Sequence, residues 1–483
     1  MKIIKFRPLM LLLGFLKLPL LVIFFPLYWC THSEQPNVLF IAVDDLNNWV
    51  GFLKNHPGVK TPHMDRLAQR GVVFTNAYCS APGCNSSRSS VITGLRPSST
   101  GIYANGHDWR KMATTRNVET LPHTLQAGGY KTARGGKLYH AHTLRASAYE
   151  GNLDPEPWDS FFPSRNLQLP AEVEPNSWPV NSSNNFYGGR YDWSPLDIDD
   201  SEMGDAKVVA WAEGELAKTH EKPLFLAVGI YRPHWPWWTP QSYFDQHPLE
   251  EIEFLDEPEN DLDDLPESGR RMVRKSWDDW IRANNQRKAA MQAYLASMTF
   301  ADAMVGRLLR ALDDGPLANN TIIVLWSDHG YHIGQKHHWE KFALWEQTTH
   351  VPLIIVDTRN GKAGTRCTQP VSLLDLYPTL VDLCDLHGPT HLEGQSLLPL
   401  MKNPHRSTRR GVITTQGFNN HAVRTERWRY IRYADGGEEL YDQQSDPNEF
   451  TNLASQPEFG PVKKSLATML PSKNVSPPAR SLD

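Results

Sequence analysis

Two short apolar runs stand out because each is followed by side chains of the types that can bind metal ions. Residues 37–43 read Asn-Val-Leu-Phe-Ile-Ala-Val and are followed by Asp44 and Asp45. Residues 321–326 read Thr-Ile-Ile-Val-Leu-Trp and lead into Ser327-Asp328-His329-Gly330. Continuous apolar runs of this length are typical of strands buried on both faces of a parallel sheet. Because ligands bind beyond the carboxyl ends of such strands, the pattern predicts that the two polar clusters meet in space.

The remaining pattern predicts an α/β fold with a large mixed, mainly parallel sheet flanked by helices. Further strands are predicted at Tyr130–Ala133, Pro223–Ile230 and Val351–Val356. Helices are predicted from Thr61-Pro62 to Gly71, from about Gln286 to Leu312, and over 371–385. The stretches 150–200 and 235–285 lack strong periodicity and are interpreted as long loops over one face of the sheet.

The two ends of the chain differ from this central pattern. Lys2, Lys5 and Arg7 precede an apolar run from Leu9 to Trp29, so residues 1–30 are predicted to be a signal peptide or an N-terminal membrane anchor. Either alternative implies export, and Cys30 adds a weaker lipoprotein alternative. Past residue 408 the pattern changes to short strands, which predicts a catalytic domain over 36–407 and a smaller antiparallel subdomain over 408–483.

Composition narrows the class of protein. The 483 residues are 40% hydrophobic and 21% charged, enough for a sizeable core and too balanced for a disordered chain. A net charge of -5 without a basic stripe argues against nucleic acid as a partner. Five cysteines exclude a dense disulfide framework. Cys367 and Cys384 form a disulfide in one interpretation and are two buried free thiols in the other.

The polar clusters suggest a metal site and a neighbouring nucleophile. Asp44, Asp45, Asp328 and His329 make a hard-ligand set that suits Ca²⁺ or Mg²⁺, although capping of a helix or loop is the alternative for Asp44-Asp45 taken alone. Between the clusters, Cys84-Asn85-Ser86-Ser87-Arg88 opens a predicted helix. A nucleophile there would face the positive helix end, which favours an anionic substrate. By spacing alone, Cys84 is also compatible with an ordinary thiol.

The segment from Cys84 to Gly94 resembles the sulfatase signature, Cys-x-Pro-Ser-Arg followed by Thr-Gly, in which the cysteine is oxidised to formylglycine. Cys84, Ser87, Arg88 and Thr93-Gly94 match, and Ser86 stands where the proline is expected. Further segments agree with the family in order and spacing: 61–65, 136–140, 232–236, 327–330, 339–341 and 350–353. The chain is identified as a member of the sulfatase family, and it most resembles members that act at the 2-position of a uronic acid.

This resemblance implies an alkaline-phosphatase-like fold and a set of site residues. Asp44, Asp45, Asp328 and His329 would hold Ca²⁺, with Mg²⁺ less favoured, together with the modified Cys84. Arg88 would steady the formylglycine hydrate, and Lys137 and Lys341 would bind sulfate oxygens. His140 would lie beside the hydrate as a base, and His234 would lie near the leaving oxygen. Taken singly, Lys137, His234 and Lys341 are also compatible with ordinary loop residues.

The implied activity is hydrolysis of sulfate esters on a sulfated carbohydrate, with uronate 2-O-sulfate as one candidate substrate. A formylglycine-generating enzyme would be the partner during maturation. The expected location is the periplasm, the extracellular space or a lysosome-like lumen. Two alternatives stay open: a phosphoesterase or phosphonate hydrolase on the same scaffold, and a non-catalytic glycan-binding relative, which the departure at Ser86 favours.

Overall fold

The computed structural model describes Met1 and residues 35–478, apart from 143–152, 155, 176–185, 187–190, 256 and 361–363. Except for Met1, the signal peptide or anchor predicted for residues 1–30, with Cys30, lies outside the described residues. Within the described part of the chain, no helix is both long and apolar enough to cross a bilayer.

The elements alternate along the chain as expected for an α/β protein. The strands are β1 Asn37–Val43, β2 Val72–Phe74, β3 Ala77–Tyr78, β4 Lys131–Gly136, β5 Ser160–Phe162, β6 Trp193–Leu196, β7 Leu224–Ile230, β8 Trp237–Pro240, β9 Thr321–Ser327, β10 His350–Val351, β11 Leu353–Asp357, β12 Thr365–Cys367, β13 Val371–Ser372, β14 Val412–Thr415, β15 His421–Arg424, β16 Trp428–Arg432 and β17 Glu438–Asp442. The helices are α1 Pro62–Ala68, α2 Cys84–Thr93, α3 Pro97–Thr100, α4 Leu121–Ala127, α5 Gly204–Leu216, α6 Gln241–Phe244, α7 Glu267–Arg270, α8 Lys275–Ala283, α9 Arg287–Asp313, α10 Glu346–Thr349, α11 Leu376–Leu383, α12 Leu398–Lys402 and α13 Gly460–Ala467.

One eight-stranded sheet, in the order β12-β2-β11-β9-β1-β7-β4-β5, organises the fold. Strands β9, β1, β7, β4 and β5 run parallel, whereas β11 is antiparallel to both β9 and β2. The register pairs Val43 with Ser327 on one side and with Ile230 on the other. The carboxyl ends of the three central strands are therefore level with one another. The predicted mixed, mainly parallel sheet is confirmed.

The central strands are apolar throughout because both faces of the sheet are covered. In β1, Leu39, Ile41 and Val43 pack into the core shared with α5 and α9. Val38, Phe40 and Ala42 alternate with them and pack on the opposite face, in the core shared with α2 and α11. Every residue of β1, β7 and β9 is buried, which is why these strands show no polar alternation.

The predicted helices over residues 61–71 and 286–312 are confirmed as α1, with Pro62 at its first turn, and α9. The prediction for 371–385 is partly wrong, since β13 and a 3₁₀ turn precede α11. The stretches interpreted as loops also contain regular elements. Strands β6 and β8 pair with each other, and α8 buries Trp277 and Ile281 beneath an otherwise polar surface. Trp237 and Trp238 are core residues.

The C-terminal region contains the predicted antiparallel sheet, in the order β14-β15-β16-β17. One face packs on Leu344 and Trp345, and the other face packs on α13. The backbone N–H of Thr415 in β14 donates to the carbonyl of Ser80 at 2.9 Å, four residues before Cys84. The domain boundary near residue 408 stays a prediction.

The structure decides between the two interpretations of the cysteines at 367 and 384. Both are buried free thiols, as are Cys79 and Cys84. Burial raises the pKa of the Cys384 thiol to about 11, which keeps it protonated at neutral pH. The interpretation without a disulfide is confirmed.

Candidate active site

The strand order explains why residues far apart in sequence meet at one edge of the sheet. Asp44 and Asp45 follow β1, and Asp328 and His329 follow β9, its parallel neighbour. Lys137 follows β4, and the loop after β7 carries His234. These six residues are at most 2% exposed. The predicted meeting of the two acidic clusters is confirmed, because the backbone N–H of Asp45 donates to Oδ1 of Asp328 at 3.1 Å.

Cys84 is the first residue of α2, where unpaired backbone N–H groups and the helix dipole produce positive potential. Gly83 precedes the helix, and Gly94 ends it in a left-handed conformation at φ 71°. The Cys84 sulfur lies 3.1 Å from Nζ of Lys341 and 3.3 Å from Nε2 of His329. Burial opposes ionisation, but Lys341, Lys137 and His329 hold the pKa of the Cys84 thiol well below its ordinary value. The position therefore stabilises negative charge.

Three cations hold the three carboxylates of the site. Arg88 Nε donates to Oδ2 of Asp328 at 2.8 Å, and its Nη2 donates to Oδ1 of Asp44 at 2.9 Å. Lys137 pairs with Asp44, and Lys341 donates to both oxygens of Asp45 at 2.8 and 3.1 Å.

Burial and these partners act in opposite directions on the carboxyl groups. Burial raises the pKa of Asp44 and Asp45 despite their lysine partners. For Asp328 the burial effect is outweighed by Arg88, and the pKa falls to about 2.

The orientation of each histidine ring determines what it can do. Nδ1 of His329 lies 2.9 Å from the carbonyl oxygen of Gly330, so this nitrogen donates a hydrogen bond and Nε2 faces the carboxylates. Burial lowers the pKa of His329, but Asp328 and its neighbours outweigh burial and raise it to about 9, so a cation bound by Nε2 would replace a proton there. Nδ1 of His234 similarly donates to the carbonyl of Trp235, and its Nε2 lies 3.9 Å from Oδ2 of Asp45. Burial lowers the pKa of His140 to about 4, so its imidazole is neutral and able to accept a proton.

The donor set fits a hard divalent cation. Ligand atoms of Asp44, Cys84 and Asp328 lie within 4.8 Å of one another, and so do those of Asp45, Cys84 and His329. A divalent cation bound here would share the carboxylates with Arg88, Lys137 and Lys341, which pair with them in this structure. Carboxylate oxygens with one imidazole nitrogen match Ca²⁺ or Mg²⁺ better than a metal that prefers thiolates. Conversion of Cys84 would replace its sulfur with oxygen and strengthen that match.

The structure brings two groups of predicted residues into one cluster. The first group is the predicted metal ligands Asp44, Asp45, Asp328 and His329, and the second is Cys84, Arg88, Lys137, His140, His234 and Lys341. Besides the two carboxylates, Arg88 donates to the backbone carbonyls of Lys137 and Leu138. The contact predicted between Arg88 and a formylglycine hydrate stays a prediction. Sequence reasoning missed two groups. The Ser87 hydroxyl donates to the carbonyl of Asp328 at 2.6 Å. The Tyr294 hydroxyl contacts the backbone after β1, and only its place in an apolar helix pattern was visible in the sequence.

A buried Cys84 between lysines and acidic strand ends, at the carboxyl edge of a mainly parallel sheet, is consistent with the alkaline-phosphatase-like fold to which sulfatases belong. The chain belongs to the sulfatase family: the family model described as Sulfatase matches residues 36–386. A second model, described as N-sulphoglucosamine sulphohydrolase, C-terminal, matches residues 334–475. The protein is accordingly a sulfuric ester hydrolase by family.

Individual proteins of similar sequence are also sulfatases. A sulfatase of Formosa agariphila is 38% identical over 466 residues, which cover 93% of this chain and 89% of the relative. The iduronate 2-sulfatase of Homo sapiens is 30% identical over 408 residues, covering 74% and 70%. Among solved structures, a 2-O GAG sulfatase aligns with a TM-score of 0.68 at 21% identity, covering 90% of this chain and 91% of that one. A phosphonate monoester hydrolase from Silicibacter pomeroyi aligns with a TM-score of 0.73 at 20% identity, covering 90% and 94%.

Proposed function

We propose that this protein hydrolyses sulfate esters of a sulfated carbohydrate through a formylglycine formed from Cys84 and a bound Ca²⁺. The observation that carries the proposal is the position of Cys84 at the start of α2, 3.1 Å from Lys341 and within a cluster of three carboxylates. An anionic ester is attracted to such a site, and charge that develops there is stabilised before the reaction begins.

Asp44, Asp45, Asp328 and His329 would hold the cation, together with an oxygen of the modified residue 84. When bound, the cation would supply Lewis-acid polarisation of a sulfate oxygen. Formylglycine at position 84 would supply, as its hydrate, one hydroxyl that bonds to sulfur as the bond between sulfur and the sugar oxygen breaks. Loss of a proton from the second hydroxyl would then expel sulfate and restore the aldehyde. A cysteine or serine lacks that second hydroxyl and could not expel the sulfate in the same way.

The two lysines would bind the sulfate group. Nζ of Lys341 already lies within hydrogen-bond distance of the Cys84 sulfur, so a group transferred to residue 84 would lie beside this ammonium. Lys137 pairs with Asp44, whose carboxylate lies beside Cys84. Both are fixed, buried cations, which stabilise the developing negative charge without reorganisation.

The two histidines would move protons. His140 is neutral because burial lowers its pKa, and it would accept the proton of the second hydroxyl when sulfate is expelled. His234 would hydrogen-bond the leaving oxygen through Nε2. Because its Nδ1–H is engaged with Trp235, His234 must carry a second proton to act as the acid. Burial, with Lys137 and Lys341, holds the pKa of His234 well below its ordinary value, so His234 is neutral in the free site and would have to take up this proton when the anionic ester binds.

For the substrate, we propose a sulfated uronic acid or a related sulfated polysaccharide unit. The support is the 30% identity with an iduronate 2-sulfatase and 27% identity with an ulvan-active sulfatase of Formosa agariphila. Export through residues 1–30 and maturation by a formylglycine-generating enzyme belong to the same proposal, since Cys84 must be converted and the substrate is expected outside the cytoplasm.

A mass measurement and a paired assay test the proposal. The peptide containing Cys84 should lose about 18 Da when cysteine becomes formylglycine. The converted protein should hydrolyse defined sulfated disaccharides and nitrophenyl sulfate, and Cys84→Ala should be inactive although its circular dichroism shows a folded protein. Cys367→Ala, which removes a buried thiol outside the site, is the matched control and should keep its activity.

Each alternative function predicts a different result in these measurements. Faster hydrolysis of an aryl phosphonate than of the aryl sulfate would favour the phosphonate hydrolase, whose fold is shared. An unmodified cysteine with no turnover of any ester, in a host that matures other sulfatases, would favour the non-catalytic relative.

A further inference from the structure

The backbone that follows β1 adopts an unusual conformation at a proposed metal ligand. Asp45 has a φ of 55°, in the left-handed region that residues other than glycine rarely occupy. The backbone N–H and the backbone carbonyl of Asp45 both make hydrogen bonds. Its N–H donates to Oδ1 of Asp328 at 3.1 Å, and its carbonyl accepts from the Tyr294 hydroxyl at 2.9 Å.

The Tyr294 hydroxyl uses both of its hydrogen-bonding capacities on this loop. Besides donating to Asp45, it accepts from the backbone N–H of Asn47 at 3.0 Å. A single phenolic oxygen therefore ties two residues on either side of Leu46. This arrangement fixes the turn that carries the Asp45 carboxylate towards Lys341 and His329.

The ring of Tyr294 is itself immobilised. It lies in α9 and is completely buried. It stacks on Tyr331, with ring centroids 6.0 Å apart and an interplanar angle of 25°, and meets Trp49 and Trp237 edge-on. This packing fixes the position of the hydroxyl, so the hydroxyl holds the loop after β1 in a fixed place relative to α9.

We propose that Tyr294 is a positioning residue, which holds Asp45 in its ligating conformation before the cation binds and thereby raises the affinity of the site for Ca²⁺. The inference rests on the Ca²⁺ of the proposed function. Its physical basis is preorganisation: a ligand whose backbone is already fixed loses less conformational freedom on binding. Removing partners that orient metal ligands typically weakens metal binding 10- to 100-fold.

The test compares two tyrosine-to-phenylalanine variants of the full chain. Tyr294→Phe removes the hydroxyl and keeps the ring packing. Tyr130→Phe is the matched control, because its equally buried hydroxyl donates to the carbonyl of Pro36 at 2.9 Å, at the other end of β1. Titration with Ca²⁺ against a fluorescent chelator should show affinity about 10-fold weaker for Tyr294→Phe, and unchanged for Tyr130→Phe. Excess Ca²⁺ should restore kcat in Tyr294→Phe, which a residue acting on the substrate would not show.

Hydrogen exchange of the Asn47 amide gives a second, metal-independent measurement. In the metal-free protein this amide should exchange slowly in the wild type and in Tyr130→Phe, and faster in Tyr294→Phe. Equal Ca²⁺ affinities, or equal exchange of the Asn47 amide, in the two variants would overturn the inference. A wild type that binds no Ca²⁺ but shows the expected exchange difference would overturn the proposed metal and the effect on affinity, and leave Tyr294 as the residue that fixes the loop.

Discussion

Replacing Arg88 with lysine tests whether this side chain joins the strand ends of the site. The guanidinium spans Asp328 and Asp44, at 2.8 and 2.9 Å, and also donates to the carbonyl of Leu138 at 3.1 Å. A lysine ammonium is a single point and cannot reach both carboxylates and the carbonyls. Losing one hydrogen bond to a carboxylate and one to a backbone carbonyl should cost about 2–4 kcal/mol of unfolding free energy.

Urea denaturation with linear extrapolation measures this loss, provided that the m-value is unchanged. The control is Arg307→Lys, because Arg307 makes the same kind of two-point contact with Glu213, at 2.9 and 2.6 Å, on a surface where both side chains are about 30% exposed. This control should cost less than about 1 kcal/mol. Equal losses in the two variants would refute the reasoning, since burial and the second carboxylate would then contribute nothing.

Three further substitutions test the chemistry of the site. Ser86→Pro should raise the fraction of formylglycine measured by peptide mass when a maturing enzyme is co-expressed. The fold should tolerate the proline because position 86 lies in the first turn of α2. A wild type that is already fully converted would show that serine suffices at this position. Asp328→Asn should reduce Ca²⁺ below the roughly one ion per chain expected of the wild type, and activity with it, whereas zinc in the wild type would contradict the ligand assignment. His234→Ala should slow hydrolysis of a sugar sulfate by about 10²–10⁴-fold and that of nitrophenyl sulfate far less, because nitrophenolate leaves without an acid. Equal kcat losses on both substrates would point to Lys341 as the acid.

The central sheet could be predicted because its strands are continuously apolar, and this pattern depends only on the burial of both faces of the sheet. Strand β1 is apolar on both faces, and the polar residues begin where the strand ends at Asp44. The same reasoning failed for α8, where Trp277 and Ile281 are the buried apolar anchors among charged neighbours. The apolar residues of α8 do lie on one face, but the helix has only nine residues, fewer than the window of about 11–18 residues over which a helical pattern is normally recognised.

The candidate site was predictable only as far as its residues have characteristic chemistry. Cys84 and the acidic strand ends are recognisable by type and position. Tyr294 was not, because an aromatic residue on an apolar helix stripe looks like core, and its hydroxyl finds a partner only when α9 packs under the loop. The bridging role of Arg88 likewise depends on the sheet order, which places β9 beside β1.

The pairing of β1 with β9 has a consequence for the timing of synthesis. Asp45 and Asp328 are 283 residues apart, and translation at about 5–20 residues per second separates them by roughly 15–60 s. During that interval β1 has no β9 to pair with, and its apolar surface needs protection from aggregation. Cys84, completely buried in the folded protein, is still accessible then. If Cys84 is converted to formylglycine as proposed, the maturing enzyme would have to act before β9 joins the sheet and buries Cys84, so the folding of the chain would set the time allowed for maturation.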